Sequence, residues 1–334
     1  MTRVGIVGLG MAVAPHAKSL LDLKVDVAYA YSPTAARRTQ FGQKFPFSLC
    51  DNIESIVKDK TVDAVLILTP PNTHLELVEK FAAAGKHILL EKPLEISLER
   101  AERLVKACSK VKLGIVLQHR FRPGAVKLRE HLKDLGQIVS ASAAIPNWRP
   151  QSYYDMPGRG TKARDGGGVL LTQGIHTLDL FLSFAGDFSK VSSLVRTTPV
   201  HRMETEDLVA AVVEFKSGAI GTVHATTTAY PGFPERIELA GEKATAVLAA
   251  ETLDFYFKDG RHTHHEGAVS KSGGADPMAF PNDAHKALIV DFLDAIDQNR
   301  DPTTSGREAL KVQLLIEVLL RSAEEGKAID VPTA

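Results

Sequence analysis

The 334 residues carry 40 basic and 40 acidic side chains, and 44% of them are hydrophobic. That length exceeds one typical core and suits two domains, while a formal net charge of zero argues against a general binder of polyanions such as nucleic acid. Two cysteines cannot build a disulfide framework, no stretch reaches the roughly 18 to 20 apolar residues of a membrane span, and Met1-Thr2-Arg3 runs straight into a strand, so a cytoplasmic protein is expected.

Val4–Val7 predicts a first strand, followed at once by Gly8-Leu9-Gly10 and a helical pattern carrying Ala14, Ala17, Leu20 and Leu21. Val25–Tyr31 reads as the second strand, with a polar helix through Ala35–Phe41. Asp51 with Glu54 predicts a capping box on a short helix. Val62–Leu68 is a third strand ending in Thr69-Pro70-Pro71, after which Asn72 is the expected cap of a helix closed by Gly85. His87–Leu90 and Gly114–Leu117 are further strands, with a helix capped by Ser97 between them. Strands alternating with helices imply βαβ units and a parallel sheet, and the apolar run Val65-Leu66-Ile67-Leu68 implies helices on both faces.

After residue 122 the pattern changes. Pro123 suits the first position of a helix ending at Gly136, and Gly166–Gly186 holds a long apolar helical segment. Runs of β-type residues follow at Val191–Val195, Leu208–Phe215, Ile220–Ala229, Ile237–Ala240, Thr245–Ala249 and Leu253–Phe257. Lys216-Ser217-Gly218 and Lys258-Asp259-Gly260 read as hairpin turns. Two helices close the chain, one over roughly Asn282–Arg300, the other capped near Ser305 and stopping at Gly326; Ser270–Ala275 reads as a mobile loop. The expected architecture is an α/β Rossmann domain over 1–122 and an α+β domain with an antiparallel sheet over 123–334.

Gly8 fits the tight strand-to-helix turn of a dinucleotide site, and Gly10 would let a pyrophosphate approach the backbone. Met11 and Ala12 then open a helix whose N–H groups and dipole face the phosphates. Val13 stands where the fingerprint has Gly or Ala. NAD-specific proteins place an acid at the end of the second strand, where this chain has Tyr31-Ser32-Pro33-Thr34. Ser32 and Thr34 offer hydrogen bonds and Arg37-Arg38 offer charge for a 2′-phosphate, so NAD and NADP are both open. The run Arg261-His262-Thr263-His264-His265-Glu266 has metal-ligand composition but follows the Asp259-Gly260 turn, where solvated histidines are commonplace, and no metal is expected. Cys50 and Cys108 read as packing residues.

Thr69-Pro70-Pro71-Asn72-Thr73-His74, then Glu91-Lys92-Pro93, then Gly166-Gly167-Gly168 with His176 and Asp179 form an ordered series. Together with the glycine turn, it resembles the glucose-fructose oxidoreductase / inositol dehydrogenase / rhizopine catabolism (Gfo/Idh/MocA) family over nearly the whole chain. The resemblance implies a Rossmann domain plus a substrate-binding and oligomerisation domain built on a large, mostly antiparallel sheet. It implies an NAD(P)-dependent oxidoreductase that interconverts a secondary alcohol and a ketone on a sugar, cyclitol or polyol derivative.

By the same resemblance, Lys92 matches the lysine that reaches the reacting hydroxyl, and His176 the proton-transferring histidine. Thr172 stands where many members carry an Asp, and a threonine cannot ionise. Thr69, Pro70, Asn72 and His74 match the loop against the adenosine–nicotinamide bridge, Glu91 the residue that buttresses it, and Gln118 a strand end beside the nicotinamide. Trp148, Arg149, Tyr154 and Arg159, with Thr172 and Gln173, match the region of substrate contacts. A homo-oligomer, dimer or tetramer, is expected because members commonly pair the open faces of that sheet. A glycosidase using its nicotinamide transiently and a non-catalytic dinucleotide-binding regulator remain as alternatives. The chemistry has its own logic: alcohol oxidation needs a proton acceptor working near neutrality, which suits histidine, and a cation to stabilise the developing alkoxide, which suits lysine.

Overall fold

The computed structural model describes residues 2–267 and 281–331, so Ser270–Ala275 lies outside the described residues. The chain packs as two units, Met1–Gln118 with Pro281–Leu310 and His119–Phe280 with Lys311–Ala334. The single cut expected after residue 122 did not anticipate this return of the chain. Helix Asp283–Asp297 packs against helix Val13–Asp22 of the first unit. Asn282 Nδ2 donates to Ser19 Oγ and Asp22 Oδ2, both at 3.1 Å, and Phe292 lies against Gly114, where a Cβ would meet it at 2.9 Å. Such long-range partners leave no trace in local periodicity.

The first unit holds a wholly parallel sheet of β1 (Val4–Val7), β2 (Val27–Tyr31), β3 (Leu49–Cys50), β4 (Ala64–Ile67), β5 (His87–Leu90) and β6 (Leu113–Ile115). Its order is β3-β2-β1-β4-β5-β6. Every residue of β1 and β4 is buried, which requires cover on both sheet faces. The order reverses between β1 and β4, so the turns after these strands, at Gly8 and at Thr69, flank the crevice where open α/β sheets bind ligands.

Two capping expectations need correction. The short helix is Glu54–Lys58, and its Glu54 N–H donates to Asn52 Oδ1 at 2.9 Å, so Asn52 and not Asp51 serves that end. Pro71–Thr73 form a 3₁₀ turn ahead of helix His74–Ala83, and Leu75 N–H donates to Glu95 Oε1 at 3.1 Å. A buried carboxylate twenty residues away thus does what Asn72 was expected to do. Ser97 does cap helix Leu98–Ala107, accepting from Arg100 N–H at 3.4 Å.

The second unit is built on nine strands: β7 (Ile138–Pro146), β8 (Phe188–Arg196), β9 (Leu208–Phe215), β10 (Ile220–Thr226), β11 (Arg236–Gly241), β12 (Ala244–Ala249), β13 (Thr252–Phe257), β14 (His262–His265) and β15 (Ile329–Asp330). They lie in the order β14-β13-β12-β11-β7-β10-β9-β8-β15, antiparallel except for the parallel pair β7–β10. The predicted hairpins are present, with Gly218 (φ +88°) between β9 and β10 and Gly260 (φ +91°) between β13 and β14. β9 and β10 alternate buried and exposed residues, as a sheet covered on one face should. Helix Ile175–Ala185 lies on the covered face, its Phe181 ring edge-on to Phe215 at 5.4 Å. The long helix expected over Gly166–Gly186 is instead two pieces, Val169–Thr172 and Ile175–Ala185. They break at Gln173-Gly174, where Gly174 sits so close to Ile145 of β7 that a Cβ would meet its Cδ1 at 3.1 Å.

Candidate active site

In the first unit the glycine turn meets the demands of a phosphate cradle. Gly8 has φ +105°, and a Cβ there would lie 2.8 Å from the Leu68 carbonyl, so only glycine fits. Around Gly10, by contrast, a Cβ would meet nothing within 4 Å, which leaves its backbone open to an approaching group. Ala12 precedes helix Val13–Asp22 without a side-chain cap, so no side chain occupies that helix end. Val13 is buried, filling the position where a third glycine would permit close packing. Gly10→Val is expected to weaken dinucleotide binding by about 10²-fold with an unchanged melting temperature; calorimetric titration beside a thermal melt checks both.

At the end of β2, Ser32 is buried and its Oγ accepts from Thr34 N–H at 3.3 Å. Arg38 Nη1 donates to Ser32 O at 2.7 Å and Pro33 O at 3.3 Å, while Arg37 is exposed. Arg38 is therefore tied to the strand end, and Arg37 faces solvent.

The loops after β4 and β5 are stitched together by His74. This fully buried ring places Nε2 2.9 Å from Thr69 O and Nδ1 3.1 Å from both Pro93 O and Leu94 O. Pro70 and Asn72 stay exposed at the rim. Burial holds the His74 pKa below its ordinary 6.5, with the surrounding carbonyls opposing. Folded His74 thus binds fewer protons than the unfolded chain below about pH 6.5, so stability falls as pH drops from about 7 to 5. In His74→Asn this fall is expected to be shallower, as melting temperatures across that pH range would record.

Glu91 ends the same strand system. Its Oε1 pairs with Nε2 of buried His16 at 3.0 Å, and its Oε2 accepts from Lys92 N–H at 2.9 Å. Burial alone would raise the Glu91 pKa, but the hydrogen bond and charge from His16, with Lys92 and His285, bring it below the ordinary carboxylate range. The anion so held fixes the backbone that carries the half-buried Lys92 side chain. Gln118 Oε1 is buried with no hydrogen-bond partner, an acceptor that a carboxamide donor would satisfy. Gly8, Gly10, the uncapped helix end and Gln118 together fit a dinucleotide.

In the second unit the chemistry gathers where β7 and β10 end. His176, on the first turn of helix Ile175–Ala185, stacks on His119 with ring centroids 4.4 Å apart. Glu235 stands beside this pair, 3.6 Å from His119 Nδ1, and accepts from Thr177 Oγ1 at 2.7 Å. One turn further, buried Asp179 holds Arg120 in a two-point pair at 2.7 and 2.8 Å; removing one member of such a pair costs about 3–5 kcal/mol. Thr172 turns its hydroxyl back to Gly168 O at 2.6 Å and meets the Gln173 amide.

Two adjacent carboxylates organise this edge. Glu206 accepts from Gly168 N–H at 2.9 Å and Leu170 N–H at 3.1 Å, pinning the triple-glycine turn ahead of His176. Burial raises its pKa despite those donors. Asp207, fully buried, accepts from Thr198 N–H and Oγ1 and meets His201 Nδ1 at 2.8 Å; the other ring nitrogen of His201 lies 2.8 Å from Arg149 O. The loop with Trp148, Arg149, Tyr154 and Arg159 is thereby fixed to the strand that follows Asp207. Tyr154 donates to Thr227 Oγ1 at 3.0 Å, and burial pushes its phenol up to about 12.

Sequence reasoning did not single out His16, Glu95, His201, Glu206, Asp207 or Glu235. Each works through a partner distant in the chain, and only the buried-carboxylate pair at the head of β9 offered a local clue, as two acids opening an apolar strand. In the His-rich run, the exposed His262 and His264 place Nε2 and Nδ1, respectively, 2.8 Å from Asp254 Oδ1.

Residues 2–119 match the model of an oxidoreductase family with an NAD-binding Rossmann fold, and residues 126–247 match the GFO/IDH/MocA C-terminal domain. The chain belongs to the Gfo/Idh/MocA family. Among family members, the inositol 2-dehydrogenase of Rhizobium meliloti is 26% identical over 348 residues, spanning 98% of this chain and 99% of its own. The myo-inositol 2-dehydrogenase of Thermotoga maritima is also 26% identical, over 98% of both chains. A levoglucosan dehydrogenase solved with NADH and L-sorbose shares the fold, with a TM-score of 0.88 over 100% of this chain and 99% of that one at 21% identity.

Proposed function

We propose that this member of the Gfo/Idh/MocA family is an NAD-dependent oxidoreductase that interconverts a secondary alcohol and a ketone on a sugar, cyclitol or related polyol. The observation carrying this reading is the open Gly10 backbone at the sheet's switch point in one chain with the Glu91-anchored Lys92. Relatives of similar length named as inositol dehydrogenases support the substrate class.

When bound, the dinucleotide supplies a nicotinamide ring that accepts or returns a hydride. Gly8, Gly10, Met11 and Ala12 hold the pyrophosphate, Ser32 and Thr34 the adenosine ribose, and Thr69, Pro70 and Asn72 the bridge to the nicotinamide, with Gln118 at its carboxamide. Arg37 is the side chain free to admit a 2′-phosphate, so NADP is the secondary cofactor. Lys92 stabilises negative charge on the substrate oxygen, and His176 takes the hydroxyl proton in oxidation and returns it in reduction. Trp148, Arg149, Tyr154, Arg159, Thr172 and Gln173 line the substrate.

The near-ultraviolet absorbance of reduced nicotinamide, followed with inositols, aldoses and keto-sugars, tests the reading. A net change supports it. Product without net change indicates the glycosidase, and neither indicates the regulator. We also propose a cytoplasmic homo-oligomer, paired through the sheet face on which Val139, Leu194, Val212 and Ile220 are exposed. Light scattering that returns the mass of one chain would remove the oligomer. Among the described residues no single helix is long and apolar enough to cross a membrane.

A further inference from the structure

Within a chain of zero net charge, residues 148–165 hold Arg149, Arg159, Lys162 and Arg164 against only Asp155 and Asp165. Arg149 is the unusual member. It is half-buried, its Nη1 donates to Trp148 O at 2.7 Å, its Nε is buried without an acceptor, and no carboxylate among the described residues pairs with it. The guanidinium carbon lies 5.8 Å from the centre of the Tyr153 ring, and that of Arg159 lies 5.0 Å from the same ring. Arg159 has only a loose partner, Asp165 Oδ1 at 3.8 Å, and the other oxygen of that carboxylate accepts from Gly160 N–H.

The position of this pair is built. Arg149 N–H donates to Thr227 O at 2.9 Å, and its carbonyl meets His201, itself anchored by Asp207. The strand end that leads to Arg149 is also the one that meets the His176 turn, because Gly174 packs on Ile145 of β7. A partly desolvated guanidinium without a counter-charge is unfavourable by itself. It is the residue best suited to pair with a planar or tetrahedral oxyanion.

We propose that the substrate is an anionic sugar or cyclitol derivative whose carboxylate or phosphate pairs with Arg149, with Arg159 reinforcing the field from beside Tyr153. This rests on the dehydrogenase reading above and narrows its substrate class. Trp148 and Tyr153 supply apolar ring surface for the C–H face of such a substrate, while the charged substituent fixes its orientation.

Steady-state kinetics with NAD on matched sets test this, each set a neutral aldose or inositol, its uronic or aldonic acid, and its phosphate monoester. The expected result is that the best kcat/KM falls on an anionic member. Its KM rises with ionic strength in the wild-type protein, whereas that of the neutral member does not. In Arg149→Gln the KM for the anion rises about 10- to 100-fold, well beyond any rise for the neutral member, so the preference for the anion is lost, and Arg149→Lys recovers part of it. The carboxylate and phosphate arms separate the two anions. Preference for the neutral members, or a salt-independent KM for the anions, overturns the proposal and leaves the dehydrogenase reading standing. Turnover of no member overturns both.

Discussion

Lys92→Ala lowers kcat by about 10² or more, while dinucleotide affinity and melting temperature stay close to wild type. The expectation follows from how the residue is held. β5 ends at Leu90, Glu91 is locked by His16 at 3.0 Å, and its second oxygen takes the Lys92 N–H at 2.9 Å. The backbone at Lys92 is thus fixed from the Glu91 carboxylate, so the variant reports on the ammonium rather than on the path of the chain. His176→Ala is expected to lower kcat to a similar degree, since it removes the imidazole assigned to the hydroxyl proton and leaves His119 without its stacking partner. Steady-state kinetics beside thermal melts check both variants. Turnover of Lys92→Ala within a few-fold of wild type would remove the lysine from the chemistry.

Gly168→Ala destabilises the protein by about 3–5 kcal/mol. A Cβ at this position would lie 1.8 Å from Glu206 O and 2.7 Å from Glu206 C and N, all backbone atoms. Neither side can yield cheaply. The Glu206 carboxylate accepts from Gly168 N–H and Leu170 N–H, and Val169 N–H donates to Glu206 O at 2.9 Å, so the two segments are fastened where they would have to part. The same turn starts the helix pieces that carry Thr172 and His176, so activity should fall with stability. Urea unfolding monitored by circular dichroism measures the loss. A value within about 1 kcal/mol of wild type would show that this contact is not rigid.

The parts of the fold legible in the sequence were those written in local pattern. Wholly apolar runs such as Ala64–Ile67 announced buried parallel strands, and alternation with a turn glycine announced the β9–β10 hairpin at Gly218. β7 escaped notice because Ser140, Ala141, Ser142, Ala143 and Ala144 are small residues with little strand preference. Its place is set by β10 and β11 on either side. The break at Gln173-Gly174 was equally hidden: Gly174 N–H turns back to Val169 O at 2.7 Å, and Ile145 of β7 approaches from a distant strand.

The site divides along the same line. Gly8, Gly10, Glu91, Lys92 and His176 sit in short motifs that carry their meaning in sequence. The groups that hold them are tertiary: Glu95 serves Leu75, Glu206 serves the glycine turn, and His201 ties Arg149 to Asp207. Carboxylates of this kind pay for their burial with backbone donors from elsewhere in the chain, and such donors cannot be read from neighbouring residues.

Transfer of label is the most direct measurement. A polyol substrate carrying deuterium on its carbinol carbon is turned over with NAD, and the recovered cofactor is examined by mass spectrometry. Reduced nicotinamide bearing one deuterium for each ketone formed is expected. Ketone formed with an unlabelled cofactor would rule out direct hydride transfer from the substrate carbon to the nicotinamide.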